Sequence, residues 1–266
     1  MENDNKRLPG VHFAAPYLLN PVHPLKVDLV GAGGSGSQML SALARINAAL
    51  TDLGGLGLQV RVFDPDRVEE ANIGRQLFSP SELGLNKAVA LVSRFNRFYG
   101  TDWDAVNALY EMPCQGYEDT PNIVITCVDN LRSRSEIGRI LEKASDESVR
   151  GPEHRTWYWL DLGNGQRTGQ AVLGSVGIPQ PECVGMRTVE RLPFFTQRFD
   201  VSSIREEDSG PSCSMAEALR KQDLFINSSL VQLAGSLLWT LLHKGCISCA
   251  GFFLNLEDMV CAPIEL

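Results

Sequence analysis

The chain has no long hydrophobic run. Its longest, LVQLAGSLLWTLL (Leu230 to Leu242), falls short of the roughly 20 residues a helix needs to cross a bilayer, so it reads as a buried helix. The amino terminus, MENDNKRLPG, is polar and has no apolar core, so no secretory signal is expected there. Positive charge is also short. Lys and Arg number 24 against 32 Asp and Glu, a formal charge of −8, which argues against a nucleic-acid surface while leaving room for a local basic pocket. Histidine is scarce: His12, His23, His154 and His243 fall in no metal-ligand spacing. Repeats and low-complexity tracts are absent. Cysteine is present, but its seven copies (Cys114, Cys127, Cys183, Cys213, Cys246, Cys249, Cys261) are odd in number and scattered. With no signal peptide expected, they read as reduced thiols in a cytoplasmic protein.

What remains is an ordinary globular composition, 44% apolar and 21% charged over 266 residues. LKVDLVG (Leu25 to Gly31) is a near-continuous apolar run, as in a parallel strand buried on both faces. Apolar residues at helical spacing follow in SQMLSALARINAAL (Ser37 to Leu50), stopped by Gly54, Gly55 and Gly57. LQVRVFD (Leu58 to Asp64) and NIVITCVD (Asn122 to Asp129) are further strands. NKAVALVSRFNRFYG (Asn86 to Gly100) and LRSRSEIGRILEKAS are helices, and TWYWLDLGNG and GQAVLGSV two strands joined by a glycine turn. This alternation predicts an α/β fold with a mostly parallel, Rossmann-like sheet flanked by helices. Residues 177–213 show no periodicity and are long for a loop. A long helical region (Ser214 to Lys244) and a terminal hairpin close the chain.

VDLVGAGGSGSQML joins strand to helix through a turn in which Gly31, Gly33 and Gly36 match the dinucleotide fingerprint. Such a turn offers backbone N–H groups to a phosphate. A glycine match alone also describes a tight turn that merely packs helix on strand. Asp64 ends the next strand, where a carboxylate can accept hydrogen bonds from ribose hydroxyls; a dehydrogenase would show the same. The residues beyond Asp64 depart from that pattern. FDPDRVEEANIGRQLF brings Asp66, Asn72, Arg75 and Gln76 into a short stretch, Lys87 opens the next helix, and TCVDN sets Asp129 at a strand's carboxyl end. Cations, carboxylates and a glycine loop together suit a triphosphate with its Mg²⁺ better than a nicotinamide. Each charge taken singly also fits a solvated face.

GAGGSGS, DPDRVEEANIGRQLF, the downstream lysine and CVDN together resemble the adenylation domain of the ThiF/MoeB/ubiquitin-activating enzyme superfamily. That pattern runs GxGGxGS, DxDxVxxSNLxRQ, K, then a strand ending in D. This chain has Ala71 where serine is usual, and Ile73-Gly74 after the asparagine. GPSCSMAEALRKQDLFIN resembles the ThiF-type proteins of bacterial ubiquitin-like operons, the PRTRC and Bil groups.

The resemblance implies one adenylation domain over residues 1–266, with 177–213 as a crossover segment within it. It implies ATP and Mg²⁺ as cofactors. Gly31, Gly33, Gly34 and Gly36 would line the nucleotide, with Asp64 at the ribose. Asn72, Arg75 and Lys87 would contact phosphates and the transition state, and Asp129 would bind Mg²⁺. The substrate would be the C-terminal carboxylate of a ubiquitin-like β-grasp protein, handed on to a conjugating enzyme, and the enzyme would be a homodimer. Many relatives carry an arginine on an N-terminal helix that enters the partner's ATP site; here only Arg7 precedes the first strand.

Some relatives move the acyl group onto a cysteine, and Cys213 is the candidate. SMAE (Ser214 to Glu217) has capping-box spacing, so a helix start would face the thiol with free N–H groups and favour thiolate. Glu206, Glu207 and Asp208 act in the other direction. Cys183, also in the irregular segment, is the rival. Several relatives bind structural zinc through two CxxC pairs, but CISC (Cys246, Cys249) is single here, so no zinc is expected. Two further readings stay open: a sulfur-carrier adenylyltransferase that stops at the acyl-adenylate, and a non-catalytic nucleotide-binding scaffold.

Overall fold

The computed structural model describes residues 8–111, 120–145, 151–199 and 222–266. In chain order the first elements are strand β1 (Gly10–Phe13), helix α1 (Pro16–Leu19), β2 (Leu25–Val30), α2 (Gly34–Asp52) and β3 (Leu58–Phe63). Helix α3 (Lys87–Tyr99), β4 (Asp104–Val106), β5 (Ile123–Thr126), α4 (Leu131–Ser145), β6 (Tyr158–Asn164) and β7 (Thr168–Ser175) come next. The remainder is β8 (Arg187–Thr188), α5 (Phe195–Arg198), α6 (Ile226–Lys244), β9 (Cys246–Ile247), β10 (Cys249–Asn255) and β11 (Val260–Glu265).

Eight strands form one sheet in the order β11-β10-β7-β6-β5-β2-β3-β4. The run from β6 to β4 is parallel, and β7, β10 and β11 add to it antiparallel. The physical cause is legible in the side chains. All of β5 and nearly all of β2 are buried, as central parallel strands require. Strand β11 is mostly exposed and carries Pro263, which an edge strand tolerates. From β2 the chain builds outward through β3 to β4, then reverses to β5 and β6 on the other side. The reversal point lies between β2 and β5. In open sheets of this kind the crevice at the strands' carboxyl ends there is where ligands bind.

Helices flank the sheet. Helix α2 packs along α6 and touches α3, while α4 packs on α5. Helix α3 is bounded as its sequence suggests: the Asn86 side chain accepts from the Val89 N–H at 3.0 Å, and Gly100 ends it with φ of 70°. The helix expected from Ser214 starts, among the described residues, at Ile226. The cause is local: the Asp223 carboxylate accepts from the Phe225 N–H at 2.9 Å and holds a turn just ahead of it. Residues 214–221 lie outside the described residues. Leu230, Val231, Ala234, Leu238 and Leu241 of α6 are fully covered within this chain, so its apolar sequence needs no second subunit. Among the described residues no helix is long and apolar enough to cross a membrane.

Sequence periodicity missed a second, three-stranded sheet, β8-β1-β9. It ties the chain start to part of the irregular segment, whose described portion also holds α5. Within its middle strand, His12 is completely buried. Its Nδ1–H donates to Val189 O at 2.6 Å, and its Nε2 accepts from the Tyr158 hydroxyl at 2.9 Å. The same hydroxyl accepts from the Ala15 N–H.

Candidate nucleotide site

Strand β2 delivers the chain to Gly31, which turns with φ of 91°, a conformation that favours glycine. A Cβ there would also sit 2.7 Å from Cys127 O, and one on Gly36 would sit 1.8 Å from Gly31 O. On Gly34 it would meet the Asn227 side chain at 2.8 Å. These three glycines are thus demanded by how closely the turn packs on the chain itself. Gly33 differs: its nearest neighbour would be Gln76 Nε2 at 4.0 Å, so its open side is available to a ligand. Gly33 is also the N-cap of α2, with no side-chain cap on the helix's first N–H groups. Uncapped N–H groups at a helix start suit a phosphate.

Asp64, 6% exposed, holds this turn from the side. Its Oδ2 accepts from the Ala32 N–H at 2.6 Å and its Oδ1 from the Asp66 N–H at 2.8 Å. Burial pushes its carboxyl up from the ordinary range, while those two N–H groups and the nearby Lys87 pull it back. Each oxygen retains a lone pair for a ribose hydroxyl. Lys87 is nearly buried and its ammonium stands 3.1 Å from Asp66. Behind them Asn86 Nδ2 bridges Asp64 O at 2.7 Å, Asp66 O at 3.0 Å and Asn107 Oδ1 at 2.9 Å.

The stretch after Asp66 folds back over the glycine turn. Asn72 Oδ1 accepts from the Glu69 N–H at 2.9 Å, closing a 3-10 turn at Glu70–Asn72. The Leu77 N–H bonds Ser37 Oγ at 3.2 Å, pinning the segment to the first turns of α2. Arg75 donates from Nη1 to Gln222 Oε1 at 2.6 Å. Two buried side-chain atoms here have no hydrogen-bond partner among the described residues: Arg75 Nε and Gln76 Oε1. Burial lowers the Arg75 pKa, yet a guanidinium stays charged. A half-buried cation whose covered Nε has no partner calls for an anion.

Asp129 is exposed just beyond β5, and its Oδ1 accepts from Asn130 Nδ2 at 3.2 Å. Cys127 and Val128, which lead to it, abut Gly31. So the turns after β2, β3 and β5 meet at the sheet's reversal point, each carrying sequence-predicted residues. Among the described residues no group of three His, Cys, Asp or Glu is arranged to hold a metal. A divalent ion beside Asp129 would therefore draw most ligands from phosphate and water, which is how Mg²⁺ is commonly held.

The profile of the ThiF family matches residues 17–255. The chain belongs to the ThiF family. Ubiquitin-like modifier-activating enzyme 5 of Aedes aegypti is 31% identical to it over 134 residues, 45% of this chain and 31% of that protein. The enzyme of the same name from Drosophila erecta is 30% identical over 125 residues, 42% of this chain and 29% of that one. The chain thus spans under a third of the length of these curated relatives. Among solved structures, PaaA superposes with a TM-score of 0.55 at 15% identity, covering 91% of this chain and 64% of that one. E. coli MccB crystallised with ATP gives 0.55 at 15% identity, covering 91% and 63%. At such identity these two speak for the fold.

Several site residues were missed by sequence reasoning. Asn86, directly before a helix, has the composition of a cap and could have been flagged. Asn227, whose Oδ1 accepts from the Ser35 hydroxyl at 2.9 Å, and Gln222 carry no local signal. Of the cysteines, Cys127 follows β5, and burial raises its thiol pKa far above the usual value. Cys183, Cys246 and Cys249 are half-buried free thiols. Cys213 and Cys114 lie outside the described residues.

Proposed function

We propose that this chain binds ATP with Mg²⁺ and adenylates the C-terminal carboxylate of a ubiquitin-like β-grasp protein. The acyl group then passes to Cys213 as a thioester, for hand-over to a conjugating enzyme. The observation that carries the nucleotide reading is the unpartnered, buried donor Arg75 Nε in the same segment as Gln76, whose amide nitrogen is the nearest atom to the open side of Gly33. Membership of the ThiF family and the activating-enzyme relatives support the choice of a carboxylate-adenylating reaction.

In this reading the substrate carboxylate oxygen bonds to the α-phosphorus as the α–β bridging bond breaks, and pyrophosphate leaves. Such chemistry needs positioning and charge neutralisation more than covalent help. The turn at Gly33 receives phosphate oxygens on backbone N–H groups, and Asp64 orients the ribose. Arg75, Lys87 and Asn72 balance charge on the phosphates. Bound at Asp129, Mg²⁺ would neutralise phosphate charge. The Cys213 thiolate then attacks the acyl carbon, AMP departs, and a thioester remains. A homodimer is part of the same proposal. Light scattering at micromolar concentration should report twice the mass of one chain.

Pyrophosphate exchange against candidate β-grasp proteins tests the first step, and calorimetry against ATP and NAD tests the cofactor. Tight NAD binding without ATP binding would overturn the site assignment. With the right carrier, ATP should yield a covalent adduct that reducing agent cleaves. Cys213→Ala should abolish the adduct and spare the exchange. An adduct that survives Cys213→Ala but disappears in Cys183→Ala assigns the other thiol. Exchange with no adduct at all marks an enzyme that stops at the adenylate, as a sulfur-carrier adenylyltransferase does.

A further inference from the structure

We propose that Arg134 is a positioning residue that sets where Asp129 stands relative to the glycine turn. The inference rests on the reading of the site given above. Arg134 lies in the first turn of α4, five residues beyond Asp129, and is 8% exposed. Its Nη2 donates to Val128 O at 2.8 Å and to Leu162 O at 3.0 Å, and its Nε to Asp161 Oδ1 at 3.2 Å. One planar group thereby fastens the backbone immediately before Asp129 to the middle of β6.

The anchor beneath is buried and hydrogen-bonded through one carboxylate oxygen. Asp161 is completely buried, and its Oδ1 also accepts from the Thr126 hydroxyl at 2.6 Å, which in turn accepts from Trp159 Nε1 at 2.8 Å. Gly163 makes room for the arginine, since a Cβ there would come within 2.6 Å of Nη2. The Phe195 ring covers its guanidinium at 5.5 Å. On the other side of the same backbone, Cys127 and Val128 rest against Gly31. A shift of Val128 therefore moves Asp129 and the turn that receives phosphate relative to one another. A lysine could keep the charge opposite Asp161, but a single ammonium cannot reproduce the fork that spans three acceptors.

A merely structural arginine would make the same contacts, so the test needs a readout that stability alone does not move. Mn²⁺ replaces Mg²⁺ as an electron-spin-resonance probe, titrated into the protein saturated with a non-hydrolysable ATP analogue. Calorimetry with ATP in EDTA is run in parallel. Arg134→Lys should weaken Mn²⁺ binding about tenfold and leave metal-free ATP affinity within about twofold, the size of loss seen when a partner that orients a metal ligand is removed. The double variant Arg134→Met with Asp161→Asn removes both charges of the buried pair and should show the same selective loss. Unchanged Mn²⁺ affinity in either folded variant overturns the proposal. So does equal weakening with and without metal, or failure of both variants to fold, since the arginine is then structural. Wild-type protein that binds no ATP in either condition sinks the site reading itself, a result distinguishable from all of these.

Discussion

Replacing Lys87 with methionine separates the cost to the fold from the cost to the nucleotide. The lysine side chain is 11% exposed, but its partner Asp66 is 66% exposed, so the carboxylate left behind is still hydrated. A pair with one solvated member contributes about 0–1 kcal/mol, and methionine keeps the packing of the aliphatic stem. For a chain of this size about 1 kcal/mol corresponds to a shift of roughly 2–4 °C in thermal midpoint. The effect on ATP should be larger. A hydrogen bond to a charged group contributes about 1.5–3 kcal/mol. Lys87 must exchange Asp66 for phosphate, which places the loss at the lower end, about tenfold in Kd. Calorimetry with Mg²⁺-ATP and scanning calorimetry of both proteins give the two numbers. ATP affinity within twofold of wild type would refute the placement of Lys87 at the phosphates. A collapse of thermal stability with proportionate loss of binding would make it a packing residue.

Gly36→Ala puts a methyl group 1.8 Å from Gly31 O, so the turn must spread. Overpacking of that kind costs about 1–3 kcal/mol and should lower the thermal midpoint measurably, whereas an unchanged midpoint would contradict the described packing. His12 is held neutral by burial, with its pKa below the ordinary 6.5. The unfolded chain therefore takes up this proton at higher pH than the folded one. The contribution to stability is complete above 6.5 and is lost as pH falls through the lowered folded value. Thermal midpoints measured down to about pH 5 should fall more steeply for wild type than for His12→Gln, and parallel curves would count against it.

The central sheet was legible because its signals are local. Apolar runs at Leu25–Val30 and Leu58–Phe63, and an amphipathic run over Lys87–Tyr99 with asparagine before it and glycine after, report burial and helix ends without reference to distant residues. Gly31, Asp64, Lys87 and Asp129 stand out as site candidates for the same reason, each at a recognisable strand end or helix start, whereas Arg75 stands out only as part of the run that follows Asp66. Strands β1, β8 and β9 were not. They are two to four residues long, and their burial comes from partners far along the chain, as in Gly10↔Arg187 and His12↔Ile247. Arg134 reads as an ordinary helix charge until Val128, Asp161 and Leu162 are seen to converge on it. Asn227 is silent until α6 is laid against α2.

The small sheet has a consequence for the order in which the molecule is made. His12 bonds Val189 across 177 residues of chain, and β1 also pairs with Ile247. A strand with those neighbours has nothing to pair with when it leaves the ribosome. At about 5–20 residues per second, it waits on the order of 10–50 s before its last partner is synthesised. The parallel strands β2 to β5, whose partners emerge early, can assemble meanwhile. Docking of β1 is thus a closing step of biogenesis, made across long loops whose entropy must be met before any contact rewards it.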